Sequence, residues 1–313
     1  AGRQWPARCV LRSGVRRLIV REQLPDREPT SRAYPRRLLD LSMPDTVTLA
    51  RRLERAEALA NAAFVDSRAA LEPSAGACWM EIAGAYAMFD GVGSPLTQTF
   101  GAGVFEDFLA PEFVRAEEFF QTRGSAVHHE VCSLAVAATT KLLTSRGYRP
   151  IEESVVLTRP TSGGAHPSSL TVREIDPAEC DRWAALAAEG WSSVSPDLAA
   201  FVNAFGQVSS RARGMHCFVA EERGKPIATA SLSLASDVAL LAGASTIPSA
   251  RRRGAQQALL QARLAIAAAR GAELAMVVAQ PESASLRNAE RHGFVAAYTR
   301  AKWELTSREE AGR

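Results

Sequence analysis

Apolar and polar positions recur along this chain with two different periods, and the changes of period mark its elements. Between residues 46 and 70, Leu49, Leu53, Ala56, Leu59, Ala60 and Ala63 recur at spacings of three and four, which predicts a helix. Two apolar runs follow, ACWMEIAGAYAMFDG (77–91) and LTQTFGAGVF (96–105), whose aromatic residues and glycines predict strands bent or bulged at the glycines. APEFVRAEEFFQTRG (110–124) returns to the helical period, with proline in its first turn and Gly124 as its stop. SAVHHEVC (125–132) reads as a strand, SLAVAATTKLLTSRG (133–147) as a helix ending at Gly147, and YRPIEESVVLTR (148–159) as a closing strand.

PTSGGAHPSS (160–169) breaks every periodicity and reads as a linker. Beyond it LTVREI (170–175) predicts a strand, Asp176 with Pro177 opens a helix to about Gly190, and SPDLAAFVNAFG (195–206) gives another with Ser195 as N-cap and Pro196 at N1. Residues 215–246 read as three successive strands turned at Arg223-Gly224-Lys225 and at Ser236-Asp237. ARRRGAQQALLQARLAIAAARG (250–271) supplies a long helix, ELAMVVAQ (273–280) a buried strand, SASLRNAERHG (283–293) a short helix, and FVAAYTRAKWEL (294–305) a final strand. The two halves end alike: strand, helix, R-G-Y at 146–148 or H-G-F at 292–294, strand, and Gly147 to Val156 is the same nine-residue step as Gly293 to Lys302. This predicts an internal repeat, two α/β units in tandem at 43–159 and 170–306, each a mixed, mostly antiparallel sheet flanked by helices, with a tail at 307–313.

Composition changes this picture at one end. Of a net charge of +3, residues 1–42 alone contribute +6, ten arginines against Glu22, Asp26, Glu28 and Asp40. This arm has no aromatic interleaving or periodicity, reads as a disordered leader before a fresh start at Met43, and gives little support to a nucleic-acid partner. Five cysteines, odd in number and without a C-x-x-C, disfavour a disulfide framework or a zinc site and fit a reducing cytoplasm. No apolar run is long enough to span a bilayer, so no membrane partner is expected.

The chemistry concentrates at 244–256. A glycine and three arginines at a helix start offer unpaired N–H groups, a positive dipole end and guanidinium charge, a constellation suited to phosphate. Neither G-x-x-x-x-G-K-[ST] nor G-x-G-x-x-G is present. STIPSARRRGAQQALL (245–260) resembles the acyl-CoA signature R-x-x-G-x-G/A of the GCN5-related N-acetyltransferases, and the resemblance extends in element order over 170–306. It implies an acyl-CoA N-acyltransferase-like fold with acetyl-CoA as cosubstrate. Arg251, Arg252, Arg253, Gly254 and Ala255 would receive the diphosphate, with Gln256 standing where the pattern has glycine or alanine. Backbone groups of Ala244, Ser245 and Thr246 would face the pantetheine and acyl carbonyl, and Ser285 would bond the pantetheine side.

The family's general-acid tyrosine, four residues before the G-F glycine, is replaced by Ala289, so Tyr298 is the candidate acid. Asp237 and Glu282 are the carboxylates that flank the segments. His292 is expected to cap its helix, Trp183, Trp191 and Phe201 to pack in the core or else line an apolar pocket over the acceptor site, and the adjacent His128 and His129 to point to opposite faces rather than hold a metal. The first unit lacks the signature and carries Glu106, Asp107 and Glu112 at the corresponding loop, so it is expected to be a degenerate half that does not bind the coenzyme. The resulting expectation is an N-acetyltransferase acting on a small-molecule or peptide amine, compatible with a homodimer; the alternative is a non-catalytic acyl-CoA-binding or sensing module.

Overall fold

The computed structural model describes residues 43–162 and 168–306. The arm at 1–42, the middle of the linker and the tail at 307–313 lie outside the described residues. The fold is mixed α/β, with largely antiparallel sheet flanked by helices. The described residues form two compact units, one from 43–158 together with 278–306, the other from those of 159–277. The first break falls between Thr158 and Arg159, within the strand Tyr148–Pro160. The second does not fall at a linker, because the last helix and strand of the chain pack in the first unit.

In the first unit, α1 (Met43–Leu71) precedes β1 (Cys78–Ile82), β2 (Ala85–Phe89) and β3 (Gln98–Phe100), then α2 (Ala110–Gln121), β4 (His128–Cys132), α3 (Ala137–Ser145) and β5 (Tyr148–Pro160). The sheet order here is β1-β2-β3-β4-β11-β5, where β11 (Val295–Leu305) comes from the far end of the chain. Residues 77–91, read as one bent strand, are a hairpin turned at Ala83 and Gly84 (φ +48° and +72°). All five residues of β2 are buried because the strand is covered on both faces: Ala85, Ala87 and Phe89 meet Phe113, Ala116 and Phe120 of α2, while Tyr86 and Met88 meet Ala58, Ala62 and Val65 of α1. Two-sided burial removes the alternation that a one-sided strand would show.

β11 pairs antiparallel with both β4 and β5. Leu305 lies opposite Tyr148 and Val295 opposite Thr158, so the two closing strands of the sequence repeat lie side by side. Arg300 of β11 brings a guanidinium, about as buried as Glu54 of α1, among the carboxylates of Glu54 (2.6 Å), Glu57 and Glu130 (3.6 Å). Burial raises the pKa of Glu54, and raises that of Glu57 to about 7, with Arg300 opposing in both cases.

The second unit shares part of that order, three strands followed by a helix and a further strand. β6 (Thr171–Glu174), α4 (Cys180–Glu189) and α5 (Pro196–Ser209) lead into β7 (Met215–Glu222), β8 (Lys225–Ala235) and β9 (Val238–Thr246), followed by α6 (Ala255–Ala269) and β10 (Leu274–Ala279), in the sheet order β10-β9-β8-β7-β6. In each unit antiparallel strands lead through a helix to a parallel partner, β3 with β4 and β9 with β10. Ser195 caps α5 as expected, its hydroxyl accepting from Leu198 N, a cap worth about 1 kcal/mol. α4 covers one face of β8 and β9, and α6 covers β8 and β9 as well as β6 and β7.

Candidate functional site

Three features meet at one end of the second unit: the end of β9, a bulge within it, and the start of α6. β9 pairs with β10 only over Val238–Leu240, opposite Leu274–Met276, and then runs six residues further without that partner. On its other side the register with β8 slips, Ser231 lying opposite Ala242 but Thr229 opposite Ser245. Gly243, at φ +60°, sits in that slip, and a side chain there would meet Ser231 Oγ at 2.7 Å. The bulge and the lost partner together leave Ala242, Gly243 and Ala244 exposed in mid-strand, where backbone groups become available to a ligand.

The strand end is held from both sides. Ser245 Oγ donates to Ala187 O of α4 at 2.7 Å. From α6, Gln256 Nε2 donates to Ser245 O at 3.0 Å and to Thr246 Oγ1 at 2.7 Å. Gln256, the departure from the family pattern, therefore turns its side chain inward to fasten β9. Gly190, which follows α4, fits against the same strand so closely that a Cβ would lie 2.0 Å from Ser245 Oγ.

From Thr246 the chain makes a short turn at Pro248–Ala250 and then runs through exposed Arg251, Arg252, Arg253 and Gly254. Arg252 and Gly254 are left-handed at φ +64° and +79°, and the space around Gly254 is open to beyond 4 Å. α6 begins at Ala255 with no side-chain cap and no acidic residue in its first turn; Gly254 O already accepts from Ala258 N. The first-turn amides and the positive end of the helix are thus offered outward. The three arginines differ. Arg251 donates to Gly190 O at 2.7 Å, Arg253 pairs with Glu222 at 2.8 Å and donates to Ser249 O, and Arg252 has no hydrogen bond or ion pair among the described residues.

Beneath the bulge lies a group the sequence reading missed. Arg263 of α6 is 4% exposed and donates to Leu259 O, to Ser231 O at 2.9 Å and to Ala242 O at 3.2 Å. It has no carboxylate partner among the described residues, and burial lowers its pKa to about 10. Its sequence signal was a charged residue within the stripe Leu259, Arg263, Ala267 at helical spacing.

The other sequence candidates lie on other elements. Tyr298 lies on β11 in the first unit, 2% exposed, and its phenol is pushed well above its ordinary value by burial and by the nearby Glu54. Ser285 is the exposed second residue of α7 (Ala284–Arg291), also in the first unit; that helix is capped by Ser283. Asp237 stands at the opposite end of β9 from the bulge, about 20 Å of extended strand away, so it does not flank the opening. His292 Nδ1 lies 2.8 Å from Asn288 O, the helix-end role expected of it. Trp183 is core, its indole N–H bonded to Phe218 O, with its ring edge 3.5 Å from where a Cβ on Gly243 would lie. His128 lies by Glu304 and His129 by Tyr148, on different partners as their alternation requires.

The corresponding loop of the first unit is built differently. Glu112 turns back to accept from Leu109 N at 2.9 Å, placing the protein's own carboxylate at the start of α2. Arg51 takes the carbonyls of Val104 and Phe105, and Phe105 packs against Gly84 and Gly101. β3 ends at Phe100, still paired with Glu130 of β4, so no strand end stands free.

Residues 180–294 match the Acetyltransferase (GNAT) family. No curated protein sequence matches the chain. A GCN5-related N-acetyltransferase from Kribbella flavida shares the fold with a TM-score of 0.56 at 18% identity, covering 84% of this chain and 98% of that one. A tandem GNAT protein from the clavulanic acid biosynthesis pathway superposes with a TM-score of 0.52 at 12% identity, over 71% of this chain and 79% of its own.

Proposed function

We propose that the GNAT-family acetyltransferase domain carried by residues 180–294 binds acetyl-CoA through the loop 251–257 and transfers its acetyl group to a primary amine of a small molecule or peptide. The observation that carries this reading is the uncapped, acid-free start of α6 behind left-handed Arg252 and Gly254, next to the exposed bulge of β9. The loop amides and Arg252 hold the diphosphate. Arg251 and Arg253, engaged with Gly190 O and Glu222, chiefly fix the loop. The exposed segment Ala242–Ala244 takes the pantetheine arm and the thioester, so that the carbonyl carbon faces an incoming amine.

A neutral amine nitrogen attacks that carbon, the C–S bond breaks, the nitrogen loses a proton to water, and the departing thiolate gains one. Holding the two reactants together supplies most of the acceleration. The proposal takes the thiolate's proton from solvent rather than from Tyr298, because a phenol raised by burial and by Glu54 is a weaker donor than an ordinary one. The first unit's loop, with Glu112 at its helix start, is proposed not to bind the coenzyme. The same burial of Tyr298 favours the rival reading, a module that binds acyl-CoA without turning it over. Thiol release from acetyl-CoA across a panel of amines separates the two: amine-dependent release supports transfer, and saturable binding with no release for any amine supports the binding module.

A further inference from the structure

A buried guanidinium without a counter-ion is an expensive way to fill a core position. A leucine or methionine at 263 would keep the packing of α6 and avoid the desolvation of a charge. Arg263 is nevertheless placed under the one point where β9 departs from regular strand. Its Nη1 holds Ser231 O at 2.9 Å and Ala242 O at 3.2 Å, the two residues that face each other where the register slips. Its Nε holds Leu259 O within its own helix. Desolvation lowers its pKa, and no carboxylate among the described residues offsets its charge.

The direction of those bonds fixes a second group. Ala242 C=O and Gly243 N–H belong to one planar trans peptide and point in opposite directions. With the carbonyl drawn toward Arg263, the Gly243 N–H is directed away from α6, at a residue that is exposed and whose φ of +60° only glycine adopts readily. The guanidinium also polarises that peptide, which makes its N–H a stronger donor.

We infer that Arg263 is a positioning residue that turns and polarises the Ala242–Gly243 peptide so that the Gly243 N–H receives the acyl oxygen of a bound thioester. As the amine attacks, the carbonyl π pair moves onto that oxygen and the Gly243 N–H stabilises the resulting oxyanion. When the oxyanion collapses, the pair returns and the C–S bond breaks. Arg263 itself touches neither substrate. This inference rests on the acetyl-CoA reading above, in which the backbone of β9 faces the acyl carbonyl, and adds to it the residue that sets that backbone.

The test follows amide resonances of the ¹⁵N-labelled full chain on adding acetyl-CoA or free CoA, which differ only in the acyl group. The expected result is that amides of 251–257 move with both, whereas the Gly243 amide moves further with acetyl-CoA. If neither compound moves the loop amides, the coenzyme reading itself fails. If the loop moves with both but Gly243 responds equally to the two, the reading stands and this inference is overturned. In Arg263→Met the coenzyme Kd is expected to stay within about twofold, the acetyl-specific shift of Gly243 to vanish, and kcat for thiol release to fall about 10- to 100-fold with KM little changed. Retention of that shift in Arg263→Met overturns the inference. Where Arg263→Met does not fold, Arg263→Lys decides: a single ammonium cannot span both carbonyls, so the acetyl-specific shift is expected to drop by about half or more, and an unchanged shift is fatal.

Discussion

Gly254 and Gly271 bracket α6, and they allow binding to be separated from backbone strain. Both are left-handed, at φ +79° and +85°, and a Cβ on either would meet nothing within 4 Å. Replacing either by alanine therefore adds no clash within the protein and imposes the same penalty, a non-glycine residue in the left-handed region, worth about 1–2 kcal/mol. At a few degrees of Tm per kcal/mol for a chain of this size, each variant should melt about 2–8 °C lower than the wild type. Binding should divide them. Gly271 follows the helix, whereas Gly254 opens it at the proposed diphosphate site, where the added methyl keeps an anion off the amides. Losing one charge-assisted hydrogen bond of about 1.5–3 kcal/mol weakens coenzyme A by roughly 10- to 100-fold. The assay is thermal melting and coenzyme A calorimetry on both variants. Equal losses of affinity in the two, or none in either, would refute the assignment of the loop.

Other outcomes follow from particular contacts. Gly190→Ala sets a methyl 2.0 Å from Ser245 Oγ and about 3 Å from the Thr246 backbone, so it should destabilise by about 1–3 kcal/mol, read as a lower denaturant midpoint. Glu57 is raised from 4.5 to about 7 in the folded chain, facing Arg300, Glu54 and Glu130. The folded state then holds more protons than the unfolded one between those values, and this contribution to stability is lost as pH rises through that window. Glu57→Gln should remove it, so the stability difference between mutant and wild type should grow in the mutant's favour from about pH 5 to about pH 8; a pH-independent difference contradicts this. His129 is lowered to about 3 by burial, chiefly, with His128 and Arg146 adding to it, so its ring should show no titration by NMR above about pH 5. It binds protons only on unfolding, and the stability it contributes is therefore lost as pH falls from 6.5 toward 3.

Local signals in the sequence carried much of the fold. Ser195 and Pro196 placed the start of α5, the spacing of three and four placed α1, and the glycines at 224, 271 and 293 placed turns and helix ends. The hairpin at Ala83-Gly84 escaped because its first turn residue is an alanine in a conformation that alanine seldom takes. The membership of β11 in the first unit was not legible, since pairing with β4 and β5 depends on segments far apart in sequence. In the candidate site, the R-R-R-G stretch announced the loop, but not that two of its arginines are engaged within the protein. The inward turn of Gln256 and the carbonyl contacts of Arg263 arise only once α6 lies on β9. A charge on an apolar helical stripe, as at Arg263 and Glu54, was the one mark of such buried polar groups.

The proposed function depends on amides and a guanidinium around position 254 holding a diphosphate. Calorimetry of the full chain with coenzyme A and, separately, with pantetheine tests this most directly, because pantetheine keeps the thiol arm and lacks the diphosphate. Saturable heat is expected with coenzyme A, weakened by added salt, and at least about a hundredfold weaker binding of pantetheine. No heat with coenzyme A, or equal affinity for the two, would contradict it.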